Sequence, residues 1–456
     1  MATFSTIKKS QLEGTHRLDA EYYQPEYLEL QKNINRTGSS KLWRNIEGKF
    51  ITGPFGSEFN TENYVTNGKY RYVRGKDVKD FFLMDEDNVY VPNEDYERLK
   101  KYSLDEGDIL ISVVGTPGIT SIVDKAIPPA IFSCKSTVYR SKTLSPYYFI
   151  AYLNSSYGRR LLERSVRGAL QTGLNIDDLK NLPIYIPSND DQNSIANIII
   201  QAKTTHDNSR SLYSQAENLL LEELGLKDFE SKDDLSWVVN LYEIQSAHRA
   251  DAEYFQPKYA KTMSLIRANG GAVLDDLVTI KKGIEPGSEA YQEEGALFVR
   301  VSSVSKHGIE NKDQKYLSEK LYKELKNNFE PKVGEILLTK DATPGVAHVL
   351  KGPIEGIISG GILRLKVKED TNPEYLALCI NSVIGQAQVE RDAGGSVIAH
   401  WKPDQVKNLL IPILPKSTQE KIADLVRQSH EARKKSKQLL EEAKHKVEEL
   451  IESNVK

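Results

Sequence analysis

The sequence predicts a duplicated α+β protein: two similar mixed α/β bodies separated by two long helices, which pair as an antiparallel coiled coil about a pseudo-two-fold axis. Three observations predict it. The passage His16-Arg17-Leu18-Asp19-Ala20-Glu21-Tyr22-Tyr23-Gln24-Pro25-Glu26-Tyr27 returns as His248-Arg249-Ala250-Asp251-Ala252-Glu253-Tyr254-Phe255-Gln256-Pro257-Lys258-Tyr259, identical at nine of twelve positions. Further matches keep their order through both halves. Each half then closes on a long helical stretch. A period near 230 residues is the size of a domain and far longer than a solenoid repeat.

The matches fix the elements in order. Tyr72-Val73-Arg74 returns as Phe298-Val299-Arg300, and Gly107-Asp108-Ile109-Leu110 as Gly334-Glu335-Ile336-Leu337. Thr116-Pro117-Gly118 returns as Thr343-Pro344-Gly345, Asn154-Ser155 as Asn381-Ser382, and Gln192 to Ala196 as Gln419 to Ala423. Gly53-Pro54-Phe55-Gly56 has a loose echo in Gly283-Ile284-Glu285-Pro286-Gly287. Segments 71–78, 108–114 and 133–139 are short, rich in Val, Ile and Tyr and bounded by glycine or proline, which predicts strands. Residues 146–162 have helical spacing. The second half repeats the order with strands over 297–304, 335–339 and 357–367 and a helix over 373–389. The T-P-G triplets follow strands and read as tight turns.

The long helices are expected from Ile195 to about Leu224 and from Ile422 to about Ile451, with no internal glycine or proline. Residues 187–192 offer capping side chains for the first, and Ser417 with Glu420 predicts a capping box for the second. Apolar or small residues recur at 3-4 spacing: Ile195, Ile198, Ala202, Leu212, Ala216, Leu219, then Ile422, Leu425, Ala432, Leu439, Ala443, Leu450. About 30–35 residues make a rod of roughly 50 Å, and one apolar stripe on such a rod needs a partner. The other copy is the simplest one. Body, rod, body, rod then pairs the rods antiparallel, with the bodies at opposite ends. Duplex DNA has matching two-folds, and half-sites for such a pair are expected about one helical turn, ~34 Å, apart.

Composition excludes several classes. The 456 residues are 39% hydrophobic and 27% charged, which fits a globular protein of two or three domains. No apolar run reaches membrane length and Met1 to Ser10 is short and polar, so neither a membrane span nor a signal peptide is expected. Cys134 and Cys379 are not repeat counterparts and are expected as buried free thiols in a reducing cytoplasm. A net charge of −3 means that any DNA binding rests on local basic surfaces. There is no glycine-rich cofactor turn with an Asn-Pro-Pro-aromatic loop, no G-x-x-x-x-G-K-[ST] phosphate loop, and no metal-ligand spacing among the eight histidines. Asp77-Val78-Lys79 and Glu47-Gly48-Lys49 are carboxylate–lysine triplets of a kind that chance supplies at this charge density. His16 and His248 are expected to pack or to bond at a helix start.

Two variable bodies, two similar long helices and the D-A-E-Y-x-Q-P-x-Y opening together make the chain resemble the DNA specificity subunit of type I restriction-modification systems, over essentially its whole length. The resemblance implies target-recognition domains at 1–187 and 229–414, and spacer helices at 188–228 and 415–456. It implies a cytoplasmic, non-catalytic reader of double-stranded DNA, each domain reading one half of a bipartite target. Its expected partners are two methyltransferase subunits docked on the helices and restriction/translocase subunits, with no membrane. No cofactor is expected on this chain; S-adenosylmethionine, ATP and Mg²⁺ belong to partner subunits. The rival reading, from the acidic balance, is a duplicated scaffold that binds protein and no nucleic acid.

Phosphates call for cations and base edges for bidentate polar groups. In the first body Lys69, Arg71, Arg74, Lys76 and Lys79 surround one aromatic-flanked strand. Arg159, Arg160, Arg164 and Arg167 follow at helical spacing, so that Arg160, Arg164 and Arg167 could line one face, with Gln171 and Thr172 just beyond Gly168. The second body offers Lys281, Lys282, Lys306, His307, Lys340, Arg391, His400 and Lys402. Arg164 and Arg391 are repeat counterparts, each shortly before a glycine turn (Gly168, Gly395), and that turn is the expected loop at a DNA groove. The Asp19-Ala20-Glu21-Tyr22 and Asp251-Ala252-Glu253-Tyr254 sets are shared between divergent bodies, so they are expected to seat the body on the rod or on a partner subunit.

Overall fold

The computed structural model describes residues 4–10, 12, 17–55, 58–127, 129–168, 172–227, 236–311, 314–368, 371–393 and 399–455. The chain divides into two units, residues 1–206 with 434–456 and residues 207–433. The division cuts each long helix in two, so each unit holds one body and a piece of both helices.

In the first unit the main sheet runs Gly48–Thr52, Ser136–Ser141, Ile109–Ser112, Thr120–Ile122, Phe81–Phe82 in spatial order, and a second sheet runs Val89–Val91, Tyr70–Val73, Ala130–Phe132. In the second unit the main sheet runs Val278–Lys282, Ile362–Val367, Ile336–Thr339, Ala347–Val349, and the second sheet Lys315–Leu317, Ala296–Val299, Gly356–Ile358. Most of the predicted strands form with shifted or shorter bounds, but the one expected over 357–367 is two strands, Gly356–Ile358 and Ile362–Val367, in different sheets. The strand that begins at Tyr70 ends at Val73, and Arg74 leads into a 3-10 turn, Gly75–Asp77. Ile109, Ile111 and Ile122 are fully buried in one core, and Ile336, Leu338 and Leu363 in the other. Each such side chain stabilises by about 1.5–3 kcal/mol.

Several repeated residues prove to be polar fasteners inside each body. Arg140 grips Asp108 through two hydrogen bonds of 2.7 Å and reaches the Ser103 carbonyl at 3.0 Å. Arg364 grips Glu335 at 2.8 and 3.0 Å and reaches the Asn328 carbonyl at 2.9 Å. The T-P-G turns are tied the same way twice. Ser112 Oγ donates to the Thr116 carbonyl and Thr339 Oγ1 to the Thr343 carbonyl, both at 2.5 Å. Gly118 and Gly345 sit at φ 93° and 89°, a region that glycine enters without penalty. Gly53 and Gly283 match for a different reason: a Cβ would lie 2.5 Å from the Ser133 carbonyl oxygen and 2.1 Å from that of Ser359.

The helix expected over 146–162 is two helices, Pro146–Asn154 and Ser156–Arg164, and its counterpart is Pro373–Asn381 and Val383–Asp392. The repeated Asn-Ser marks the break. Ser155 and Ser382 are extended, at ψ 166° and 169°, and each hydroxyl donates back to the preceding turn, to the Tyr152 and Cys379 carbonyls. Local bonds of this kind are what let serine compete with a continuing helix.

The long helices are Asn189–Glu223 and Lys416–Ser453. Ser188 caps the first, accepting from the Asp191 amide at 3.2 Å. The second begins before Ser417, and Glu420 instead accepts from Asn372 Nδ2 at 2.8 Å, so the expected capping box gives way to a contact with the body. The buried stripe also differs from the expected one: Ile195, Ile199, Ala202, Ser209, Tyr213, Ala216 and Leu220 on the first helix, with Ser429 and Ser436 among the buried residues of the second. Steps of three and four in alternation are a heptad seam. Within the first unit Lys446 Nζ donates to Ser194 Oγ at 2.6 Å and Ser436 Oγ to the Ala202 carbonyl at 2.7 Å. One number rises as the other falls, so the helices run antiparallel. Within the second unit Ser429 Oγ donates to the Ser209 carbonyl at 2.7 Å. Alanine and serine along the seam let the backbones approach closely.

Among the described residues no helix is long and apolar enough to cross a membrane. Cys379 is buried, with its thiol pushed up to about 12 by desolvation, whereas Cys134 is only half-buried.

Candidate nucleic-acid interface

The repeated opening turns out to be a clasp. Arg17 forks onto Asp19 at 2.9 and 2.5 Å and donates to the Ser165 and Val166 carbonyls at 3.1 and 3.2 Å. Arg249 forks onto Asp251 at 2.8 and 2.5 Å and donates to the Arg391 and Asp392 carbonyls, both at 3.3 Å. Each guanidinium lies over the tyrosine of its own motif, Tyr22 at 4.4 Å and Tyr254 at 4.5 Å. Arg164 and Arg391 approach the same rings at 4.0 and 5.1 Å. An arginine at a helix C-terminus satisfies its last carbonyls and complements its dipole. The motif therefore seats the leading segment on its own body's helix rather than on the rod.

This corrects two expected DNA contacts. Arg164 is 5% exposed and donates to the Tyr22 carbonyl and to Gln31 Oε1, each at 2.7 Å. Arg391 forks onto Asp392 at 2.7 and 3.0 Å. Both are parts of the clasp. The helical face expected from Arg160, Arg164 and Arg167 does not form: Arg160 pairs with Glu26, and Arg167 stands on the strand Val166–Arg167 with both donors on Asp178 at 2.6 Å. Gln171 and Gly395 lie outside the described residues. His248 ends a helix in the left-handed conformation, at φ 51°, where a helix start was expected, and His16 lies outside the described residues.

The two arginines of the strand cluster in the first unit are also internal or half-buried. Arg71 is 1% exposed and pairs with Asp85 at 3.1 Å. Arg74 holds the buried Asp77 at 2.9 and 3.0 Å, and Lys76 meets Asp87 at 2.7 Å. Lys69 and Lys79 are exposed. In the second unit Lys281 and Lys282 are exposed on the edge strand Val278–Lys282. Lys306 is half-buried on a hairpin, its ammonium 5.0 Å from the Tyr213 ring, where the body meets the long helix.

Three of the expected residues do come together. Lys340 Nζ lies 2.5 Å from Asp341 Oδ2, and His400 Nδ1 lies 2.8 Å from Asp341 Oδ1. Partial burial works to raise the Asp341 carboxyl, but the bonds from Lys340 and His400 prevail and hold it below the usual range. Lys402, two residues on, is exposed and opens the helix Pro403–Lys407. The backbone carries the group: Asp341 and His400 form an antiparallel bridge, and Ala342 beside it has φ 60°, a strained setting for a residue with a Cβ. The residue missed from sequence is Asp341, and the signal was its place beside the repeated T-P-G. Among the described residues no group of His, Cys, Asp and Glu could hold a metal ion.

The chain matches the family model of the type I restriction modification DNA specificity domain twice, over residues 53–218 and 273–445. Each match takes in one body and a stretch of long helix, so the duplicated fold and the family unit coincide. The chain therefore belongs to the type I restriction-modification specificity family and is a DNA sequence-specificity subunit. Among solved structures it is similar to the type I restriction-modification S subunit from M. genitalium, at 15% identity and TM-score 0.42, covering 91% of this chain and 95% of that one. It is also similar to the HsdS subunit from Thermoanaerobacter tengcongensis, at 14% identity and TM-score 0.29, covering 91% and 96%. No curated protein sequence matches it.

Proposed function

We propose that each body reads one half of a bipartite target in double-stranded DNA, while the paired helices carry two methyltransferase subunits, to which restriction/translocase subunits can be added. The chain does no chemistry in this reading. The methyl group passes from S-adenosylmethionine, bound by a partner, to an adenine flipped out of the stack, and ATP and Mg²⁺ serve the translocase. The assembly works in the cytoplasm. The observation that carries the reading is the double family match on two bodies whose internal fasteners agree while their exposed loops diverge. Common fasteners keep the fold, and divergent loops suit two different half-sites. Among the expected residues, the exposed cations that can meet phosphates are Lys69, Lys76, Lys79, Lys281, Lys282 and Lys402. The protein-binding scaffold has no observation in its favour.

The test exchanges residues 1–187 for the corresponding domain of another family member and maps N6-methyladenine in cells that carry the partner genes. One half of the methylated motif should change. A change in both halves refutes modular reading.

A further inference from the structure

The two bodies share a backbone feature at which their side chains part company. Beside each T-P-G turn an isolated antiparallel bridge ties the chain to the segment that leads into the next short helix: Val114 with Gly173 in the first unit, Asp341 with His400 in the second. The neighbouring bond is also the same, Leu174 N to the Val113 carbonyl at 3.0 Å and Trp401 N to the Lys340 carbonyl at 2.8 Å. All these positions match at a constant offset of 227 residues. The left-handed residue next to the bridge is Gly115 at φ 90° in one copy and Ala342 at φ 60° in the other. The frame is therefore held constant, yet the exposed side chains differ in kind. The first unit presents Val114, 50% exposed, opposite a residue with no side chain. The second presents His400, 61% exposed, on a carboxylate that Lys340 also holds.

Resting on the half-site reading above, we infer that this bridge is a base-reading position, filled by Val114 in the first unit and by His400, oriented by Asp341, in the second. A carboxylate only accepts, so the Nδ1 of His400 carries the proton that binds Asp341, and in the neutral imidazole its Nε2 is then an acceptor at the surface. An acceptor there suits the exocyclic amino group of adenine or cytosine in the major groove. The isopropyl group of Val114 suits the C5-methyl of thymine, the apolar mark of that groove. Both oxygens of Asp341 are in use, one by Lys340 and one by His400, so the imidazole is fixed before it meets DNA and loses little freedom on binding. An exposed valine opposite a glycine and an exposed histidine held by a carboxylate put chemically different groups on one frame. A differing base pair at a common position explains both.

The experiment is selection from randomised duplexes by the full chain assembled with its methyltransferase partners, with the bound fraction sequenced. His400→Ala should relax one base position in one half of the motif by about fivefold, the low end of the range for a bidentate base contact, since the ring offers one acceptor. Asp341→Ala, which keeps the imidazole but frees it, should relax that same position. Val114→Ala should relax one position in the other half by about fivefold, as expected for the loss of one or two buried methyl groups. Val114 and His400 are exposed and Asp341 is half-buried, and circular dichroism checks that the fold is kept in all three variants. An unchanged motif in all three variants overturns the inference and leaves half-site reading intact. So does an equal loss at every position, the mark of a phosphate contact. Failure of the unsubstituted assembly to enrich any motif overturns the half-site reading and, with it, this inference.

Discussion

Acidification should loosen the second unit before it loosens the first. His348, on the strand Ala347–Val349, and His430, on the second long helix, lie with ring centroids 6.0 Å apart. His307 from the hairpin and Tyr213 from the first long helix complete the cluster, 6.3 and 6.5 Å from His430. Desolvation lowers both His348 and His430 from 6.5 to about 4, helped for His348 by His430 and Lys351 and for His430 by Lys351 and Arg433. The folded state thus prefers the neutral rings, and the unfolded chain takes up protons first. Stability is whole above pH 6.5 and is lost as the pH falls toward 4. A depression from 6.5 to about 4 corresponds to about 3 kcal/mol per ring at full protonation. Between pH 7 and 5.5 each ring costs about 1.2 kcal/mol, so the pair costs roughly 2.5 kcal/mol before most carboxylates titrate. Hydrogen exchange followed by mass spectrometry reads this directly from the opening free energy of amides in Ile336–Thr339 and Ala347–Val349, after correction for the intrinsic rate. The double variant His348→Gln/His430→Gln should remove most of the decline. If the unsubstituted chain and the variant lose protection equally over that range, the rings do not set the acid response and the account is wrong.

Three further outcomes follow from the same contacts. Arg17→Ala removes a buried guanidinium and leaves two carbonyls without their donor, while Asp19, part-exposed, can turn to water; it should cost about 2 kcal/mol in thermal or urea unfolding, and Arg249→Ala, at a more open site, should cost less. Gly283→Ala drives a Cβ into the Ser359 carbonyl and should destabilise the second unit by about 2–3 kcal/mol, seen as early loss of protection in Ile362–Val367. For the assembly with its methyltransferase partners, log affinity for DNA should fall linearly with log salt, and Lys281→Gln/Lys282→Gln should reduce the slope by about two phosphate contacts, measured by fluorescence anisotropy.

Much of the fold was legible because a duplicated sequence states its invariants twice. The G-[DE]-I-L match marked a strand start, and the structure adds that its acid is a buried carboxylate held by an arginine. The long helices were legible from the absence of breakers, but the seam was not. Leu212 and Leu219 look like core, while the buried positions are Tyr213 and Leu220, because small residues at 202, 209 and 216 fix the phase. The basic residues were the least legible. Arg164 and Arg391 are identical between bodies, and identity across divergent bodies argues for a shared structural duty, as it does for Asp19 and Tyr22. Charge alone hides this, since a guanidinium over a tyrosine and one facing a phosphate are the same letter. The divergent positions, Val114 against Asp341 and Gly173 against His400, mark where the two surfaces differ on a common frame.

The clasp has a consequence for how such a chain can change. The fastening between each leading segment and its helix is made of the same few side chains in both copies, Arg, Asp and Tyr against an Arg. Its lock and key are both carried within one body's stretch of sequence. A gene exchange that brings in a foreign body also brings the closure that body needs, and nothing in the remaining half has to be re-tuned for the newcomer to latch shut.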